Sequence, residues 1–173
     1  MIFSHSSANK SRLNNYPFTF LLVFILLICG CESKKSETQK ETSEESSYTA
    51  AIKMVLEKDS ALGAIRNNAP KDTTLAQTVR NYSKALRQID FSKCPQEFTS
   101  AFKAHIESWE ASIEFLETYP ALRGELHEAF DSIRSRGEAD SIALAAIEKP
   151  IWDTWKIAED FAKAYGAKND SQH

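Results

Sequence analysis

The sequence predicts an all-α fold, an antiparallel up-down bundle of four to five helices after a disordered tether, and three observations carry that prediction. From Tyr48 onward, apolar residues recur three or four positions apart in segment after segment. Residues suited to helix ends punctuate those segments at Asn67-Asn68-Ala69-Pro70, Cys94-Pro95, Tyr119-Pro120, Arg136-Gly137 and Gly166. No stretch alternates with strand period for long, and no Asn-Gly or Asp-Gly turn joins two candidate strands.

Taken in order, Tyr48, Ile52, Val55, Leu62 and Ile65 trace the stripe of a first helix ending near Asn67. Thr74 and Gln77 stand at capping-box spacing, so each side chain can satisfy the other's exposed backbone N–H. They open a second helix with the stripe Leu75, Val79, Tyr82, Leu86 and Ile89. Pro95 suits the first position of a third helix, whose face carries Phe98, Phe102, His105, Trp109, Ile113 and Leu116. Tyr119-Pro120 stops or bends it, and Pro120 is a candidate first residue of a fourth segment carrying Leu122, Leu126, Phe130 and Ile133. The last segment aligns Leu144, Ile147, Ile151, Trp155, Ala158, Ala162 and Tyr165. Because that stripe keeps its phase across Pro150, one kinked helix is expected, with a break at Glu148-Lys149 as the alternative.

Four stretches of different character follow: an export segment over 1–30, a tether over 31–47, the helical bundle over 48–166 and a disordered tail over 167–173. The tether contains no large apolar side chain, so nothing in it offsets the entropy of ordering. As a coil it would span roughly 20–25 Å. The bundle is of single-domain size and can bury roughly two-thirds of its unfolded surface without disulfides or metal. With a net charge of −3 that becomes more negative once Lys10 and Arg12 leave with the export segment, the chain has no basic stripe for phosphate contacts. Nucleic acid is therefore not an expected partner.

Residues 1–30 read as a signal peptide: a weakly basic start with Lys10 and Arg12, then no charge from Leu13 to Cys31, with the apolar core over 18–28. That core is shorter than the ~20 apolar residues a membrane-spanning helix needs, and Pro17 precedes it. The run Leu27-Ile28-Cys29-Gly30-Cys31 resembles the lipobox of bacterial lipoproteins. The resemblance implies that Ile28, Cys29 and Gly30 are recognised by signal peptidase II. It also implies that Cys31 carries the lipid, with acyl chains such as palmitate, as the first residue of the mature protein. The other reading, an ordinary secretory signal or an uncleaved anchor, fits less well, since an unmodified signal more often ends in an Ala-x-Ala-like site. Two or more acyl chains hold a protein firmly at a membrane, whereas one holds it only transiently. The localisation implied is the bacterial cell envelope, at the outer membrane or a periplasmic face rather than the cytoplasm.

Of three cysteines, Cys29 leaves with the signal and Cys31 is lipidated, so Cys94 is the one free thiol and no intramolecular disulfide forms. Its place before Pro95 at a helix start could lower its pKa. Burial as a small apolar residue is the commoner fate, because no Cys-x-x-Cys is present and the nearest candidate base, His105, is three turns along. His105 lies on the apolar face between Phe102 and Trp109, where a haem or metal ligand or a hydrogen-bonded core histidine would lie. Cys-x-x-Cys-His is absent, and the di-iron Glu-x-x-His spacing fails at Phe102 and Gly124, so no cofactor and no metal is expected. His127, Glu128 and Asp131 only loosely match a zinc-hydrolase pattern and read as a solvated face. The aromatics Phe98, Phe102, Trp109, Phe115, Trp152, Trp155 and Phe161 are core, or the lining of an apolar cavity.

The stretch Cys94-Pro95-Gln96-Glu97-Phe98 with Phe102, His105 and Trp109-Glu110 is similar to a pattern in small helical lipoproteins of the bacterial envelope, which implies location and packing but no activity. The expectation is a non-enzymatic envelope lipoprotein, held at the membrane by its lipid anchor and presenting its bundle to an envelope protein partner. Two alternatives stay open: a carrier of a small apolar ligand or haem, with Cys94, His105, Trp109 and Trp155 as the candidate site, and a thiol-dependent enzyme using Cys94.

Overall fold

The computed structural model describes the backbone of residues 35–167 and the side chains of residues 45–167. The export segment with Ile28, Cys29, Gly30 and the lipidation residue Cys31 lies outside the described residues, as does the tail from residue 168. Among the described residues, five helices pack antiparallel: α1 Lys35–Asn67, α2 Leu75–Leu86, α3 Gln96–Glu117, α4 Leu126–Arg134 and α5 Glu138–Ala164. α3 packs between α2 and α5, while α1 lies on α2 and α4 on α5.

The second helix starts where its sequence indicates. Thr74 Oγ1 accepts the backbone N–H of Gln77 at 3.2 Å, while the Gln77 side chain turns outward to Asn81 instead of closing the reciprocal half of the box. Pro95 proves to be the N-cap of α3 rather than its first residue. α4 begins at Leu126, capped by Glu125, so Pro120 and Leu122 belong to the connection. Gly124 explains the late start, because its φ of +88° is a conformation that side-chain-bearing residues rarely adopt and it turns the chain immediately before the cap. The same connection is pinned to the start of α2, where the N–H of Leu75 donates to the carbonyl of Leu122 at 3.0 Å.

α5 is one helix that runs through Pro150, in keeping with the unbroken phase of its stripe. Proline deprives the Ala146 carbonyl of its usual donor, and burial of Leu144, Ile151, Ala158 and Ala162 on one face offsets that loss. Phe98, Phe102, Ile52, Leu75, Leu86, Ile106, Leu116, Ile133 and Leu144 are fully buried and drawn from all five helices, so one core joins them.

Three expectations need correction. Residues 35–47, expected in the disordered tether, are helical. Glu, Lys and Gln favour the helix, and extending an existing one adds a hydrogen bond per residue without a new nucleus. Ile65 is 67% exposed and not part of the α1 stripe. Ala167, placed in the tail, is buried, and its N–H donates to the carbonyl of Ala162 at 2.8 Å beyond Gly166, whose φ of +69° ends the helix.

Candidate functional site

Between the helices lies a cleft of about 190 Å³, to which every helix contributes a wall. α1 supplies Asp59, Gly63 and Arg66, and α2 supplies Tyr82. From α3 come His105 and Trp109; from α4, Leu126 and Phe130; from α5, Glu148, Ile151, Trp152 and Trp155. All three tryptophans of the chain therefore face the same cleft.

The α1 residues explain how a polar floor enters an apolar core. Ile52, Val55, Asp59, Leu62 and Arg66 follow one another at three- and four-residue steps, so Asp59 and Arg66 occupy stripe positions and are carried inward with it. Asp59 is only 4% exposed and accepts a 2.6 Å hydrogen bond from the Tyr82 hydroxyl. Burial first, and then the Asp59 charge, raise the Tyr82 phenol well above its ordinary pKa. The guanidinium carbon of Arg66 stands 4.4 Å from the centroid of the Tyr82 ring and 4.2 Å from that of Trp109. Those two rings meet edge to face at 5.5 Å. Contacts of this kind hold a cation by the ring quadrupole, and they are stronger when partly desolvated.

On the opposite wall, His105 is 4% exposed. Its Nε2 accepts the indole N–H of Trp109 at 3.1 Å, which leaves the proton on Nδ1, and Nδ1 donates to the Ile151 carbonyl at 3.2 Å. The Thr154 hydroxyl lies beside Nδ1 at 3.3 Å. Burial outweighs the favourable Ile151 carbonyl and lowers the His105 pKa to about 4, with the Arg66 charge adding to the depression. The imidazole is neutral at physiological pH, and both nitrogens are engaged. Ligation of haem or metal by His105 would require breaking one of those bonds.

The structure thus brings together His105, Trp109 and Trp155, whose ring lies 5.3 Å from that of His105, but it does not bring Cys94 to them. Cys94 lies half-buried in the α2–α3 connection, beside a separate depression lined by Arg87, Asp90 and Lys103. Its thiol pKa is raised, by burial first and by Asp90 second, so the helix start does not activate it. His127 reaches the mouth of the cleft as an exposed side chain. Among the described residues no group of three or more His, Cys, Asp or Glu is placed to hold a metal.

Sequence reasoning missed Asp59, Arg66 and Tyr82 as site residues. The signal was present: two charged residues at positions of the α1 stripe where apolar residues belong. No protein-family model, no curated protein and no solved structure matches this chain. Among the described residues, no helix is long and apolar enough to cross a membrane.

Proposed function

We propose that this protein is a non-enzymatic lipoprotein of the bacterial envelope, anchored through Cys31, whose bundle is a binding module with the five-helix cleft as its ligand site. The observation that carries this reading is the convergence of Trp109, Trp152, Trp155 and Tyr82 on one cleft around Arg66. Large apolar walls with a few fixed polar groups are what a small-molecule site requires. The titratable groups there support binding over turnover. Asp59 is bonded to Tyr82, Glu148 accepts two bonds from Arg134, and His105 is held neutral between Trp109 and Ile151. The lipobox-like run ending at Cys31 supports the location.

A second reading, docking of an envelope protein partner, is favoured by Trp152, which is 61% exposed at the rim of the cleft. An exposed tryptophan beside a pocket is a typical anchor for a partner side chain.

Native mass spectrometry of the full-length protein extracted from membranes tests both parts. The expected result is an amino terminus at Cys31 with acyl mass, absent from a Cys31→Ala form, and a small non-covalent mass that a Trp155→Ala form does not retain. A chain retaining residues 1–30 without acyl mass would overturn the anchor. Substrate turnover abolished by changes in the cleft would overturn the non-enzymatic reading. A co-purifying polypeptide in place of a small mass would favour the second reading.

A further inference from the structure

We propose that the cleft takes a small uncharged aromatic molecule, one ring packed among the lining side chains and covered at the mouth by Trp152. The inference rests on the reading of the cleft as a ligand site, and it adds the chemical class of the occupant.

The polar groups of the lining set the first limit, because they are already engaged within the fold. The buried Asp59 carboxylate accepts the Tyr82 hydroxyl at 2.6 Å, and Glu148 is gripped by the Arg134 fork at 2.6 and 2.8 Å. The Arg66 guanidinium has the Tyr82 and Trp109 rings on its face, Asn67 Oδ1 on its Nε and Gly63 beside Nη2, and its charge already acts on Tyr82 next to Asp59. His105 uses both ring nitrogens. Among the described residues no buried side-chain nitrogen or oxygen is without a hydrogen-bond partner. An ion of either sign entering this cleft would leave its water for a lining with no counter-charge to offer, and an unpaired charge is far costlier to bury than an apolar ring. An uncharged molecule meets no such penalty.

The walls set the second limit. Trp109, Trp155, Phe130, Leu126 and Ile151 offer flat faces, edges and branched aliphatic groups, against which a ring packs with edge-to-face contacts that a saturated chain cannot make. A dry cavity of about 150 Å³ admits benzene, so a cleft of about 190 Å³ has room for one six-membered ring.

Trp152 supplies the third observation. It stands at the rim of the cleft with 61% of its surface in water, directly after the buried Ile151, and among the described residues its indole packs on no other ring. A ring seated in the cleft removes part of that indole from water and gives it an aromatic partner.

The test uses the full-length protein in detergent with four probes: 2-phenylethanol, phenylacetate, phenethylammonium and hexan-1-ol. Heat of binding is measured against empty micelles, and tryptophan emission is excited at the red edge, where phenyl rings do not absorb. Because all three tryptophans of the chain line the cleft, that emission reports occupancy. The expected order is 2-phenylethanol tightest, by about tenfold or more over both ions and by several-fold over hexan-1-ol. Trp152→Ala, at an exposed position, is expected to keep its urea midpoint and to bind 2-phenylethanol several-fold more weakly, whereas Trp152→Phe retains most of the affinity. Either ion binding as tightly as 2-phenylethanol would overturn the uncharged class, and hexan-1-ol binding as tightly would overturn the aromatic one; both results would leave the cleft as a ligand site. Unchanged affinity in Trp152→Ala would overturn the cover at the mouth. No heat and no emission change with any probe would overturn the ligand site together with the class.

Discussion

The indole N–H of Trp109 points along its own helix to Nε2 of His105, one turn earlier, at 3.1 Å. A tryptophan can only donate, so the bond exists only while that nitrogen is unprotonated, and it fixes the imidazole as the neutral Nδ1–H tautomer.

Acid stability follows from that bond. The His105 pKa falls from the ordinary 6.5 to about 4 in the folded chain, so the unfolded chain binds the extra proton first. The stabilisation is complete above the unfolded pKa and is lost as pH falls from about 6.5 towards 4. Between pH 7.5 and 5 the unaltered protein is expected to lose about 2 kcal/mol from this group. Urea unfolding at the two pH values measures the loss, and His105→Gln should start less stable yet show a flatter profile across the window. An equal slope in both proteins would assign the acid sensitivity elsewhere.

Removing the Tyr82 hydroxyl strips a donor from a carboxylate that is 4% exposed. Tyr82→Phe should therefore cost about 1–3 kcal/mol at neutral pH, although it deletes one atom and leaves the ring under Arg66. The midpoint of denaturant unfolding reads this. In an alkaline absorbance titration, Tyr82 should ionise only as the protein unfolds, because burial and Asp59 both oppose the phenolate.

Cys94 should behave as a structural thiol. With its pKa raised by burial and by Asp90, alkylation of the folded protein near neutral pH should be several-fold slower than alkylation in denaturant. Labelling as fast folded as unfolded would contradict the placement of the side chain.

The hydroxyl of Thr49 in α1 donates to the Tyr165 carbonyl at 2.6 Å, where α5 ends. Thr49→Val keeps the shape and deletes the donor, so a loss of about 0.5–1.5 kcal/mol is expected. The loss should appear locally as faster amide exchange in the last turn of α5.

Apolar periodicity carried the fold, because α2, α3 and α5 show one stripe each and their ends are marked by Thr74, Pro95 and Gly166. The start of α4 was illegible: Pro120 is as good a first helical residue as Leu126, and the choice depends on Gly124 and on the Leu75–Leu122 bond to a distant segment. Half of the site was legible in the same way, since His105 and Trp109 share the α3 face and Trp155 lies on the α5 stripe. Asp59 and Arg66 were passed over because a stripe search counts apolar residues. What makes these two informative is that they interrupt the stripe, and only tertiary packing reveals Tyr82 and Trp109 as their partners.

The length of α1 has a mechanical side. Residues 35–47 advance roughly 20 Å along a single axis, a span close to that of a coil of the same length, but a helix keeps its direction where a coil wanders. Downstream, the same rod bears Asp59, Gly63 and Arg66 in the cleft. The amino-terminal arm and the wall that holds the guanidinium thus share one helix axis.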